Sequence, residues 1–153
     1  MNTNTNELKL DVKNVSILVI LMALPNVLGM ININLIGFKL HFFQYAIFLA
    51  AMMYGSTGGL LAGGIGSLYS AIAIGNPYII LFNALLGFLF GKFYKGNEFS
   101  ALAKTLAIQL PTIILIDYFI IGMPIKVLGF LLIGLVVTDF IWVFGAKKTR
   151  EML

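Results

Sequence analysis

Residues Leu40 to Gly91 read LHFFQYAIFLAAMMYGSTGGLLAGGIGSLYSAIAIGNPYIILFNALLGFLFG and contain no lysine, arginine, aspartate or glutamate. A helix crosses the hydrocarbon core of a bilayer in about 20 residues, with a range of about 17 to 25. This stretch is far too long for one crossing, and its breakers, Gly55-Ser56-Thr57-Gly58 and Gly75-Asn76-Pro77, divide it into three. Asn76 suits a helix N-cap and Pro77 the first helical position, so a new helix is expected to start there.

Working outward, the whole chain has the same character. Of 153 residues, 60% are hydrophobic and 10% charged, and the mean hydropathy is +1.00. A water-soluble domain carries roughly 25% charge, so these few charges would leave large apolar patches on a globule in water. The expected fold is all-α, a polytopic membrane bundle of about six transmembrane helices. Apolar runs and breakers place the spans at about residues 14–30, 40–55, 57–74, 77–94, 100–122 and 124–145, the second being short. Residues 1–13 read as a polar tail, 14–146 as the transmembrane domain and 147–153 as a basic tail. Val15 to Met30 is long for a signal-peptide core, and Pro25 follows Ala23 and Leu24 where a small-x-small cleavage site would want a residue other than proline, so the first span is expected to be retained.

The net charge of +4 lies in clusters at the edges of apolar runs, not on one basic face, which argues for membrane topology and against nucleic acid. Six crossings with both termini in the cytoplasm put Lys9, Lys13, Lys92, Lys95, Lys104, Lys147, Lys148 and Arg150 inside. Only Lys39 and Lys126 remain outside. Without cysteine there is no disulfide, thiolate site or cysteine nucleophile. GxxxxGK[ST], HExxH and GxSxG are missing, so neither a nucleotide site nor catalysis is expected, and no metal or cofactor is implied.

Polar residues within or near the spans converge on the expected outer half: Asn26, His41, Gln44, Asn76, Tyr78, Asn83, Asp117, Tyr118 and Lys126, with Asn32 and Asn34 in the first outer loop. His41 and Gln44, three apart, and Asn76 and Asn83, seven apart, are expected to share helix faces. A solute pocket at this level would account for them. Capping and interfacial preference also explain several, since Asn76 can be a cap and tyrosines favour interfaces. One histidine cannot build a metal site. Asp117, about five residues and roughly 7 Å below the helix end, is the strongest site candidate. A charge inside a span costs about 2.5 to 3.5 kcal/mol even on lenient scales, and it needs a ligand or a partner such as Lys126. Asp139, deeper toward the cytoplasm, is expected to pair with Lys104, with Trp142 as an interfacial anchor. Gly55, Gly59, Gly63 and Ser67 recur every four residues, with Gly87 and Gly91, and Ala46 and Ala50, repeating the device on neighbouring spans. Such small residues let helix backbones approach closely.

The segment Tyr45 to Phe93, with its Gly55 to Gly66 run after an apolar helix, its Asn76-Pro77 helix start and its Gly87-xxx-Gly91, resembles the S components of energy-coupling-factor vitamin transporters. These are membrane-embedded substrate-binding subunits. The resemblance implies a small bundle that captures a vitamin-like solute near the outer face and docks on a transmembrane coupling protein driven by two ATPases. In that family an AxxxA pattern on the first helix helps docking. Here the first span has Ala23 followed by Val27, and the nearest match is Ala46-xxx-Ala50 on the second. A self-sufficient small transporter or channel, or a non-transporting scaffold subunit, are the alternatives that the residues leave open.

Overall fold

The structure, a computed structural model, describes residues 11–35 and 38–153, and for residues 32–35 and 38–41 it describes the main chain only. Helices dominate. In chain order they are α1 (Val12–Leu28), α2 (Phe43–Gly66), α3 (Leu68–Ile74), α4 (Tyr78–Phe93), α5 (Glu98–Ile114) with a π-helical continuation (Leu115–Ile120), and α6 (Ile125–Met152). Phe43–Ile74, Glu98–Ile120 and Ile125–Met152 are long and apolar enough to cross a membrane. Val12–Leu28 and Tyr78–Phe93 are shorter apolar helices.

The first correction concerns residues 32–41, expected as an outer loop running into a helix. They form an antiparallel hairpin of β1 (Asn32–Leu35) and β2 (Phe38–His41), with Asn32 paired to His41 and Asn34 to Lys39. His41 therefore ends a strand, and it shares no helix face with Gln44, because α2 starts at Phe43.

The break expected at Gly55 is present. Gly55 has φ 65° and ψ −155° inside α2, a left-handed φ that glycine adopts without steric cost. A straight helix would hold residues eight apart at about 12 Å. Yet a methyl built on Gly58 would lie 2.9 Å from the Ala50 carbonyl oxygen, and one on Gly59 2.9 Å from the Ala51 methyl. The chain therefore folds back on itself at Gly55. The segment before the fold, Phe43 to Tyr54, is about twelve residues or roughly 18 Å long, short against a core of about 30 Å, as the second span was expected to be. A further break at Ser67 separates α3 from α2, where an uninterrupted span was expected.

The glycine stripe explains the tightest contact in the bundle. Methyls placed on Gly59 and Gly63 would collide with the carbonyls of Gly87 and Asn83 on α4, and one on Gly91 with the main chain of Gly55. The second half of α2 and α4 thus lie antiparallel, backbone against backbone, as small residues allow. Ala46 and Ala50 are fully buried, so their methyls pack the interior and present no outward surface. Phe48 and Phe90 meet edge to face beside them, with ring centroids 4.8 Å apart. On the other flank Gly66 takes the ring of Pro25 from α1. Asn26 staples the same joint: its amide donates to the Ile65 carbonyl at 3.0 Å and accepts from the Tyr69 N–H at 2.9 Å. Asn26 is thus a structural link between α1 and the α2–α3 joint.

The two ends of the bundle differ in chemistry. At one end, Lys92 and Lys95 lie beside a cluster in which Lys147 pairs with Glu98 at 2.6 Å and Arg150 donates to the Tyr94 hydroxyl at 2.8 Å. The helix α6 continues through Lys147, Lys148 and Arg150 to Met152. At the other end, Asn76 precedes α4, the π-helical turn closes α5, and the Gly122 turn at φ 74° starts the chain back into α6.

Candidate functional site

A cavity of about 380 Å³ opens at the end remote from Lys92 and Lys147. The first turn of α2, the α3–α4 turn, α4, the π-helical turn and the first half of α6 each contribute wall. Of the residues expected to form a solute site, Gln44, Asn76, Asn83 and Asp117 line this one cavity. They come from separate elements, and only the fold brings them together.

Local structure sets each side chain. Asp117 lies in a π-helical turn, where the backbone closes rings one residue wider than an α-helix; such turns occur often at functional sites. The wider turn rotates Asp117 inward, so it is 1% exposed while its neighbours Tyr118 and Phe119 point out. Its own carbonyl accepts from the Met123 N–H at 2.8 Å, which ties the start of the α6 connection to it. Asn76 is fixed by its amide oxygen, which accepts from the Tyr78 N–H at 3.0 Å and starts α4, and its side chain lines the cavity together with Asp117. Asp117 Oδ1 is left buried with no protein partner.

Asn83 is equally fixed. Its amide nitrogen donates to Ser67 Oγ at 2.8 Å, and Ser67 donates in turn to the Gly63 carbonyl at 2.5 Å. The glycine stripe and the cavity are therefore mechanically continuous, because the close approach at Gly63 sets where Asn83 stands. Gln44 is 4% exposed, and its Oε1 also lacks a partner.

Other expected site residues lie elsewhere. Tyr118 is exposed, and Tyr78 packs against the cluster of Phe82, Ile113 and Leu128. Lys126 is exposed and makes no ion pair with Asp117. The side chains of His41 and Asn32, like residues 1–10 with Lys9, lie outside the described residues. The expected pairing of Asp139 with Lys104 is also corrected. Lys104 is exposed, whereas both oxygens of the fully buried Asp139 lack a hydrogen-bond partner. Trp142 is half-buried, its ring 4.8 Å from that of Phe42.

Sequence reasoning missed Ser70, Thr138 and the aromatic wall of Phe43, Phe82 and Phe130. In an apolar helix, a phenylalanine facing lipid and one facing a cavity look alike. Thr138 carried a weak signal as the neighbour of an intramembrane aspartate, although its hydroxyl is already spent on the Gly134 carbonyl at 2.6 Å. The resulting chemistry is an apolar, partly aromatic chamber with few polar atoms, and its unsatisfied ones are acceptors. A small heterocycle with polar edges fits such a place.

Residues 9–141 match the family model described as the S component of an ECF-type riboflavin transporter. No curated protein and no solved structure matches the chain.

Proposed function

The chain belongs to the S-component family of ECF-type riboflavin transporters, and on that premise we propose that it captures riboflavin or a close relative in the 380 Å³ cavity and delivers it to an ATP-driven coupling complex. As a member of that family it is a membrane protein of transport that binds substrate and associates with other transporter components. The observation carrying the finer reading is the convergence of Gln44, Asn76, Asn83 and Asp117 on one chamber. Its volume lies in the range of about 300 to 1,000 Å³ usual for small-molecule sites. Flat aromatic solutes suit its Phe43, Phe82 and Phe130 walls, and the carbonyls and N–H of a flavin's pyrimidine edge suit its amides and carboxylate.

The proposed topology is multi-pass in the cell membrane, with six spans and both termini cytoplasmic. The positive-inside rule supports it, since Lys92, Lys95, Lys147, Lys148 and Arg150 gather at the end opposite the cavity. On this orientation the cavity faces outward. Energy would come from a transmembrane coupling protein with two ATPases, because the chain itself carries no GxxxxGK[ST] motif.

The test is reconstitution of the purified chain into liposomes. Riboflavin should bind to the chain alone, but accumulate against a gradient only when coupling protein, ATPases and ATP are added. Accumulation by the isolated chain would refute the proposal and favour a self-sufficient carrier; absence of riboflavin binding would refute the solute.

A further inference from the structure

Two polar atoms on the cavity walls have no partner in the protein: Asp117 Oδ1 and Gln44 Oε1. Both belong to side chains less than 5% exposed, and they come from different elements, the π-helical turn and the first turn of α2. Both are acceptors. A buried acceptor left unsatisfied is costly, so a bound solute is favoured in proportion to the donors it brings. None of the residues lining the cavity is a lysine, arginine or histidine among those described.

The two acceptors sit in different surroundings. Asp117 borders the apolar cluster of Phe82, Ile113 and Leu128, with Ile113 one turn before it and Met123 tied to its carbonyl. A flat ring packed on that cluster would present its polar edge to Asp117. The π-helical turn and the Met123 N–H bond to its carbonyl fix Asp117, so Oδ1 is pre-aimed. A bond from a ring N–H to it would be charge-assisted and therefore of the stronger kind.

We infer that Asp117 reads an N–H at a ring edge of the solute while Gln44 accepts a second, separate donor, so that the cavity selects uncharged or cationic heterocycles that donate at two edges. This rests on the solute-binding reading above and deepens it by specifying which solute atoms are recognised. A carbonyl-only ring edge, or one whose nitrogen is alkylated, would leave Oδ1 stranded.

The experiment titrates the purified full-length chain with riboflavin, 3-methylriboflavin and thiamine, in wild type, Asp117→Ala and Gln44→Met. Wild type should prefer riboflavin over its 3-methyl derivative by about tenfold or more. The preference should shrink to within about twofold in Asp117→Ala. It should survive in Gln44→Met, which weakens both flavins alike. If Asp117→Ala does not fold, Asp117→Asn carries the test: a neutral and weaker acceptor should reduce the preference severalfold, and an unchanged preference overturns the inference. Equal binding of the two flavins by wild type, or a preference that persists in Asp117→Ala, also overturns it and leaves the riboflavin reading standing. Thiamine also presents an N–H at a ring edge, from the exocyclic amino group of its pyrimidine. Thiamine bound in place of riboflavin and lost in Asp117→Ala would end the riboflavin reading and support the inference, while thiamine retained in that variant, or failure of all three solutes, would end both.

Discussion

Gly63→Ala is the sharpest test of how the fold builds the site. A Cβ at Gly63 would stand 2.5 Å from the Asn83 carbonyl carbon and 2.9 Å from the Ala84 nitrogen. Carbon pairs sit best at about 3.5 to 4.0 Å, so the helices must separate by roughly 1 Å, a gap that forfeits about a quarter to a half of each contact's dispersion energy. Overpacking of this kind costs about 1 to 3 kcal/mol. The helix propensity gained by alanine over glycine offsets at most about 1 kcal/mol. Gly129→Ala on α6 is the matched control, since a methyl there meets nothing within 4 Å, and it receives the propensity gain alone. Thermal unfolding of the two purified variants in detergent should therefore place Gly63→Ala below wild type and Gly129→Ala at or above it. Gly63→Ala should also lose solute affinity in its folded fraction, because Ser67 and Asn83 move with the α2–α4 contact. Equal melting temperatures for the two variants would refute the backbone-contact argument, and a destabilised Gly63→Ala with unchanged affinity would uncouple the contact from the site.

Other expectations follow from particular side chains. Asp139→Asn exchanges a fully buried carboxyl group without partners for an amide of the same shape, so it should melt no lower than wild type and bind solute equally well; a loss of affinity would place Asp139 in the site after all. Asn26→Ala breaks both links between α1 and the α2–α3 joint and should destabilise by about 1 to 3 kcal/mol with affinity intact, which melting and titration of one preparation can check. The chain has no cysteine, so single cysteines at Lys95, Lys126 and Lys148, all exposed, report topology directly. An impermeant thiol reagent added to intact cells should label Lys126→Cys and spare the other two, and labelling of Lys148→Cys from outside would contradict cytoplasmic termini.

The bundle's main divisions were legible from residue order because each rests on local chemistry. Gly55 and Gly122 can take a left-handed φ, Asn76 can start a helix with its own side chain, and an uninterrupted apolar run can only be solvated by lipid or protein. The spacing of Gly59, Gly63, Gly87 and Gly91 likewise announced close helix contact, since it depends only on helical periodicity. Asp117 stood out for a similar reason: a carboxylate in an apolar span is costly wherever the rest of the chain goes. What periodicity cannot convey is direction and partnership across elements. The π-helical turn that aims Asp117 inward and leaves Tyr118 outside, and the use of Asn26 as a staple, both depend on contacts between residues distant in sequence. So does the failure of the expected Asp139–Lys104 and Asp117–Lys126 pairs. An ion pair needs two side chains on facing surfaces, and equal depth along two helices leaves their rotation about their own axes undetermined. Composition therefore determined that this chain lives in a membrane as a helical bundle, while tertiary packing alone decided which of its few polar atoms face one chamber, because rotation and backbone approach are set by the whole bundle at once.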